Sequence, residues 1–188
     1  MGQSYSHVTL AIPITATDHS IGPTRGHTTL VEYGDFESPR CESMEPAIRI
    51  LRAHYPHSLR FIYRHFPDEE AHCNALQAAE AAEAAAAQGR FWGMHQVLVN
   101  NPRRLTRRYL DEYADSLNLD LARFRAELDD AVYRQRIREH QKGARLCHLL
   151  TAPGFFVDGD LIDMQGGMHL LYRAVRIRIL RNISDGRR

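Results

Sequence analysis

Thr28-Thr29-Leu30-Val31-Glu32-Tyr33-Gly34-Asp35-Phe36-Glu37-Ser38-Pro39-Arg40-Cys41-Glu42-Ser43-Met44-Glu45-Pro46 is the stretch around which the chain is organised. Leu30 to Phe36 reads as a β-strand whose apolar density predicts burial on both faces. It turns directly into a helix starting at Ser38. Serine caps helices well, proline suits the first helical position, and Glu42 favours the positive end of the helix dipole. Met44, Ile48, Leu51 and Tyr55 recur at helical spacing and give this helix one apolar face, with Pro46 predicted to kink it.

Upstream, Val8, Leu10, Ile12 and Ile14 alternate as in a short strand, which Pro13 would confine to a sheet edge. Asp18 to Gly26 is rich in turn formers and reads as a connector. Downstream, Leu59 to Phe66 is a second strong strand, so strand, helix and strand form a crossover with a parallel pair. From Asn74 to Leu146 the pattern is helical throughout. Ala75 to Gln88 is built almost wholly of Ala, Glu and Gln and reads as a closely packed helix. Phe91, Met94, Val97 and Leu98 mark the next, stopped by Asn101-Pro102. Thr106 and Asp120 look like caps for two more, and a last one spans about Ala131 to Leu146. Gly154 to Val157 and Leu161 to Met164, joined by Asp158-Gly159, carry a hairpin signal. A terminal helix from about Met168 to Asn182 turns Arg173, Arg176 and Arg181 to solvent.

The chain has 188 residues and a net charge of +1, enough to bury one core and too nearly neutral to call for nucleic acid or a membrane as partner. No apolar run approaches the roughly 20 residues of a membrane span. The start lacks a basic leader, and Pro13 interrupts its apolar run, so the expectation is a cytoplasmic protein. Cys41, Cys73 and Cys147 are too far apart in sequence for a disulfide framework or a zinc knuckle. Among the 11 histidines, His65, His72 and His95, together with Cys73, share no metal-ligand spacing, so no metal site is expected.

Several of these segments resemble the DsbA-like thiol–disulfide oxidoreductases of the thioredoxin superfamily. They are the strand-to-helix junction ending in Ser38-Pro39-Arg40-Cys41, the lead-in Asp18 to Pro23, and Phe61 to Pro67. Ala78 to Ala87 with Phe91-Trp92-Gly93-Met94-His95 resembles the family's helical insertion, and Thr151-Ala152-Pro153 its cis-proline loop. The resemblance covers roughly residues 18 to 163. It implies an α/β, thioredoxin-like fold with an inserted all-helical subdomain. The core would be 28–73 and 147–188, the insertion 74–146, and 1–27 an N-terminal extension with an edge strand. It also implies protein or peptide thiols and disulfides as partners.

Within that resemblance Ser38 stands where the family has its attacking cysteine, and Ala152 where it usually has threonine. Disulfide exchange needs a thiolate to attack and a second thiol to resolve the mixed disulfide. A hydroxyl is too weak an acid to take the first role, and Glu37 is the only base in sequence beside it. The motif therefore predicts at most monothiol exchange, with Ser38 and Cys41 as the reacting pair of positions and Pro39, Arg40, Ala152 and Pro153 against the substrate. No cofactor is implied, with glutathione the candidate co-substrate. Two other readings fit the same residues. Ser38-Pro39 is similar to the pair in kappa-class glutathione transferases, where the serine hydroxyl serves the glutathione thiolate. Alternatively, Ser38 is a plain helix cap, Cys41 a small buried hydrophobe, and the domain a non-catalytic peptide-binding module.

Overall fold

The computed structural model describes residues 8–24 and 28–185. In chain order its elements are β1 His19–Ile21, β2 Thr28–Gly34, α1 Pro39–His54, β3 Leu59–His65, α2 Ala75–Ala87, α3 Phe91–Asn100, α4 Arg107–Ser116, α5 Leu121–Asp129, α6 Arg134–Leu146, β4 Gly154–Val157, β5 Asp160–Leu161 and α7 Met168–Ser184. The strands form one sheet in the order β1-β3-β2-β4-β5. β2 lies at its centre, parallel to β3 and antiparallel to β4. The expected parallel pair and crossover helix are therefore present. This is the thioredoxin-like α/β layout, with five helices between β3 and β4.

The pleat of the central strands divides the core in two, since successive side chains point to opposite faces. Leu30, Phe61, Tyr63, Phe155 and Val157 join one cluster, with Ile48 and Leu51 of α1, the helices of the insertion, and Leu171, Val175 and Ile179 of α7. Val31, Tyr33, Ile62 and Phe156 face the other way, toward Ala144, Cys147 and Ala152. Gly34 ends β2 without a side chain for a steric reason: a Cβ there would come 2.5 Å from the Tyr63 ring. α1 continues unbroken through Pro46. The alanines of α2 let it sink into the core on nearly every side, and its two buried glutamates are paired. Arg134 takes Glu80, and Glu83 accepts from His19, His65 and Arg136.

The N-terminal edge strand is not formed. Among the described residues the segment pairs with the sheet through an isolated bridge, Thr9 with Asp160, and the first strand is instead His19–Ile21, inside the expected connector. Three local attachments hold the segment in place of a ladder. Leu10 N donates to Gly159 O, Leu161 N donates to Val8 O, and Ala11 N donates to the Cys147 sulfur at 3.2 Å. Residues 1–7 and 25–27, which belong to the expected extension, lie outside the described residues. The hairpin is shorter than its sequence signal, with its second strand confined to Asp160–Leu161.

A buried ion pair fixes the end of this segment against β3. Arg64 Nε donates to Asp18 Oδ1 at 2.8 Å, and its Nη atoms reach Asp18 Oδ2, the Tyr33 hydroxyl and the carbonyls of Ile12 and Pro13. Both side chains are almost wholly shielded. Burial alone would raise the Asp18 carboxyl, but the Arg64 hydrogen bonds, the Thr15 N–H and the Arg64 charge together hold its pKa below the usual value. Asp18→Ala strands the guanidinium and is expected to cost about 3–5 kcal/mol in urea unfolding. Arg108→Ala, which breaks the exposed pair with Glu112, is expected to cost under about 1 kcal/mol in the same assay.

Candidate active site

The junction between β2 and α1 is built on the Asp35 side chain. Its Oδ1 accepts from Glu37 N at 2.8 Å, and its Oδ2 accepts from Asp68 N at 3.0 Å and lies 2.7 Å from His72 Nδ1. The Asp35 N–H points to the Cys41 sulfur at 3.4 Å, and the Asp35 carbonyl accepts from Ser38 N. One buried carboxylate thus holds the strand end, the first turn of the helix and the approach to the insertion. Glu37 adds a second tie, accepting from Asn74 N at 2.6 Å and Asn74 Nδ2 at 2.8 Å.

Ser38 occupies the cap position with extended backbone, and its carbonyl accepts from Glu42 N, but its hydroxyl makes no cap hydrogen bond. Ser38 is 4% exposed, and its hydroxyl lies near enough to the Cys41 sulfur to favour the thiolate. Capping is therefore carried by backbone geometry alone, and the hydroxyl is turned to the neighbouring sulfur. Pro39 and Arg40 are exposed, while Cys41 is half-buried. Arg40 Nη1 donates to Thr151 Oγ1 at 3.2 Å across the front of the site. That loop carries a cis peptide bond between Ala152 and Pro153. Ser38, Cys41, Arg40, Ala152 and Pro153 are therefore brought to one end of the sheet.

Beside Pro153 runs an open groove of about 480 Å³, lined chiefly by Arg40, Leu149, Pro153, Leu161, Ile162 and Met164. Leu150, 91% exposed, stands next to the loop. The setting is a mainly apolar channel with Arg40, Asp163 and Gln165 on its walls, which suits an extended peptide more than a small polar ligand.

Beneath Cys41 lies a cavity of about 10 Å³ lined by Glu32, Tyr63 and His95 among others, close to the size of a single water. Burial, and then the nearby charge of Glu45, pushes the Glu32 carboxyl up to about 8, so it is neutral at pH 7. Burial also raises the Cys41 thiol far above its ordinary value, and the Glu32 charge adds to the shift. The Ser38 and Asp35 hydrogen bonds oppose this without overcoming it. His95 Nε2 has no partner among the described residues, and burial with the Arg52 charge lowers that ring to about 3. Sequence reading passed over Glu32 and Asp35. The available signal was an acid at the middle of a strand read as buried on both faces, a place where an ionised carboxylate is costly.

Cys73 is exposed at the rim, its sulfur 4.0 Å from Glu37 Oε1 and accepting from Asn74 Nδ2. Cys147 is buried and occupied with Thr9 and Ala11. The histidines weighed for a metal are dispersed: His72 is on Asp35, His95 in the small cavity, and only His65 approaches Glu83 and His140. There the Arg136 guanidinium already holds Glu83 at 2.8 Å, competing with any cation.

The sequence model of the thioredoxin family matches residues 15–174. The Na(+)/H(+) antiporter NhaA 3 of Salinispora tropica is 42% identical over 160 residues, covering 85% of this chain and 24% of that relative. The chain thus spans about a quarter of the length of the curated relatives it matches. The solved structure of the thiol-disulfide exchange protein alpha-DsbA2 of Wolbachia pipientis superposes with a TM-score of 0.72 at 16% identity, over 86% of this chain and 87% of that one. A periplasmic thioredoxin-like protein of Salmonella enterica superposes at 0.68 with 19% identity, over 87% and 90%. The cytoplasmic expectation is overturned by these likenesses. It rested on the start of the chain, yet the Salmonella protein carries the same fold in the periplasm.

Glu32 sets a pH dependence of stability. Below its ordinary value of 4.5 it is protonated in both states, but from there to about 8 the folded protein keeps a proton that the unfolded chain releases. Stability is therefore lost as pH rises through that window and levels off above it. Glu32→Gln is expected to flatten the loss, gaining a few kcal/mol over the parent at pH 9 and little at pH 4.5, as read by urea unfolding across pH.

Proposed function

Because the chain belongs to the thioredoxin family, we propose that it is a thiol–disulfide exchange protein of the DsbA type, with Cys41 the one reacting thiol of its altered Ser38-Pro39-Arg40-Cys41 motif. The observation that carries this reading is the placement of Cys41. Its thiol sits on the first turn of α1 with the Ser38 hydroxyl against it and the protonable Glu32 lining the cavity beneath. In this reading the Cys41 thiolate attacks a substrate disulfide. The S–S bond breaks, one substrate sulfur leaves as a thiolate that takes up a proton, and the other stays joined to Cys41. A thiol from outside, such as glutathione, then displaces Cys41, because Ser38 offers no resolving sulfur. Above about pH 8, where Glu32 is ionised, it lines the same small cavity as Cys41 and takes the Cys41 proton. The raised thiol makes this exchange slow at neutral pH and faster as pH climbs.

Pro39, Arg40, Ala152 and Pro153 hold the substrate, an extended peptide lying along the apolar channel with Arg40 at its mouth. We place this work outside the cytoplasm, where substrate disulfides persist. In a chain as long as the antiporter relatives, we propose that the matched quarter contributes the exchange chemistry. The burial of Ser38 favours Cys41 over a direct serine contact with a glutathione thiolate. A peptide-binding module without chemistry would differ from this reading by binding substrate equally well with Cys41→Ser.

Incubation with a disulfide peptide followed by mass spectrometry is expected to find the adduct on Cys41, lost in Cys41→Ser and kept in Cys73→Ser. Turnover with Cys41 blocked, or an adduct confined to Cys73, would refute the assignment. Ser38→Cys is expected to gain dithiol reduction of insulin, and Glu32→Gln to slow adduct formation at pH 9. A faster Glu32→Gln would limit Glu32 to repelling the thiolate.

A further inference from the structure

Among the described helices, α7 exposes the most large apolar side chains. Its inner residues Leu171, Val175 and Ile179 are buried in the core. Yet Ile177, Leu180 and Ile183 on its other side are 53%, 56% and 64% exposed, and Met168 and Ile50 of α1 are exposed beside them. A helix apolar on both sides is the pattern of an element covered on both sides. Between α1 and α7 this face opens into a groove of about 700 Å³, floored by Pro46, Ala47, Ile50, Met168, Ile177 and Leu180.

The charges on this face all have one sign. From Met168 to Ser184 the helix carries Arg173, Arg176, Arg178 and Arg181 and no acidic residue. Arg178 is paired with Asp160 and Arg181 faces Asp185, but Arg173 and Arg176, which line the groove, have no acidic partner among the described residues. The net charge of +1 hides this local excess.

We propose that the α1–α7 face docks on an anionic phospholipid surface. Ile177, Leu180, Ile183 and Met168 enter the headgroup boundary, and Arg173 and Arg176 meet phosphates. The apolar and cationic side chains interleave along roughly 23 Å of helix. Arginine stems lie on apolar surface while their guanidinium groups reach outward, which is how an interfacial helix meets lipid. No helix of the described residues is long and apolar enough to cross a membrane, so the contact is superficial. Charge favours lipid over a second copy, since two such faces would set arginines against arginines. The inference does not rest on the exchange reading, and none of its residues belongs to the candidate site.

Co-sedimentation with vesicles of phosphatidylglycerol and phosphatidylcholine, against phosphatidylcholine alone, tests it. Binding is expected on the anionic vesicles only, and it should weaken as salt is added. Each arginine removed is expected to lower partitioning about fivefold, so that Arg173→Ala with Arg176→Ala loses about 25-fold. Ile177→Ser with Leu180→Ser is expected to abolish binding while leaving the unfolding midpoint and Cys41 labelling unchanged. Failure of the unaltered protein to bind anionic vesicles overturns the proposal. So does equal binding to both vesicle types, or binding that survives the serine pair. Self-association in solution that the serine pair abolishes, with no vesicle binding, would assign the face to a second copy instead.

Discussion

Everything at the working end of this molecule hangs on the Asp35 carboxylate. Its two oxygens accept or face three groups from two separate stretches of chain, Glu37 on one side and Asp68 and His72 on the other. A buried carboxylate is tolerable only when hydrogen-bonded, so the constraint acts in both directions. The turn cannot relax without exposing a charge, and the approach to the insertion cannot move without leaving one unpaired. The insertion is therefore anchored to the site turn, through Asp35 and again through Glu37 and Asn74.

The protein buries several acids and treats them differently. Asp18 is neutralised by a bidentate arginine, Glu80 by Arg134, and Glu83 by two histidines and Arg136. For Glu83, burial works against ionisation, yet the hydrogen bonds from His19 and His65 prevail and its pKa falls well below the usual range. Glu32 has no such partner among the described residues and keeps its proton instead. The paired acids, like Asp35 beside His72, serve to fasten elements together. The unpaired one lies under the thiol, where a group able to change charge near neutrality has a use.

Much of the fold was legible because its signals are local. Alternation and apolar density marked β2 and β3, the Ala-rich run marked α2, and Asp120 caps α5 through Arg123 N as its sequence position suggests. The segment 8–14 was misread because Val8, Leu10, Ile12 and Ile14 alternate as a strand does, while what holds them is a set of separate tertiary contacts to Cys147, the hairpin and Arg64. The site was half legible. Ser38, Cys41, Arg40, Ala152 and Pro153 could be named from their positions in the motif and the proline loop. The roles of Glu32, Asp35 and Thr151 depend on cross-chain distances that no local pattern encodes. Arg173, Arg176 and Arg181 of α7 face solvent as read, but no local pattern announced the apolar side chains exposed between them.

The attachment of residues 8–11 to the hairpin has a consequence for how the sheet meets other chains. A free sheet edge is a template for any extended strand, including the strand of another molecule. Here the β5 edge is already occupied by the Val8 to Leu10 backbone, and at the opposite edge β1 is three residues long, with the Trp92 indole bonded to the Ser20 carbonyl. Both margins are thereby short and partly covered. Fibrillar growth from this sheet is discouraged, and an incoming polypeptide is steered away from strand addition at the flanks toward the loop before β4.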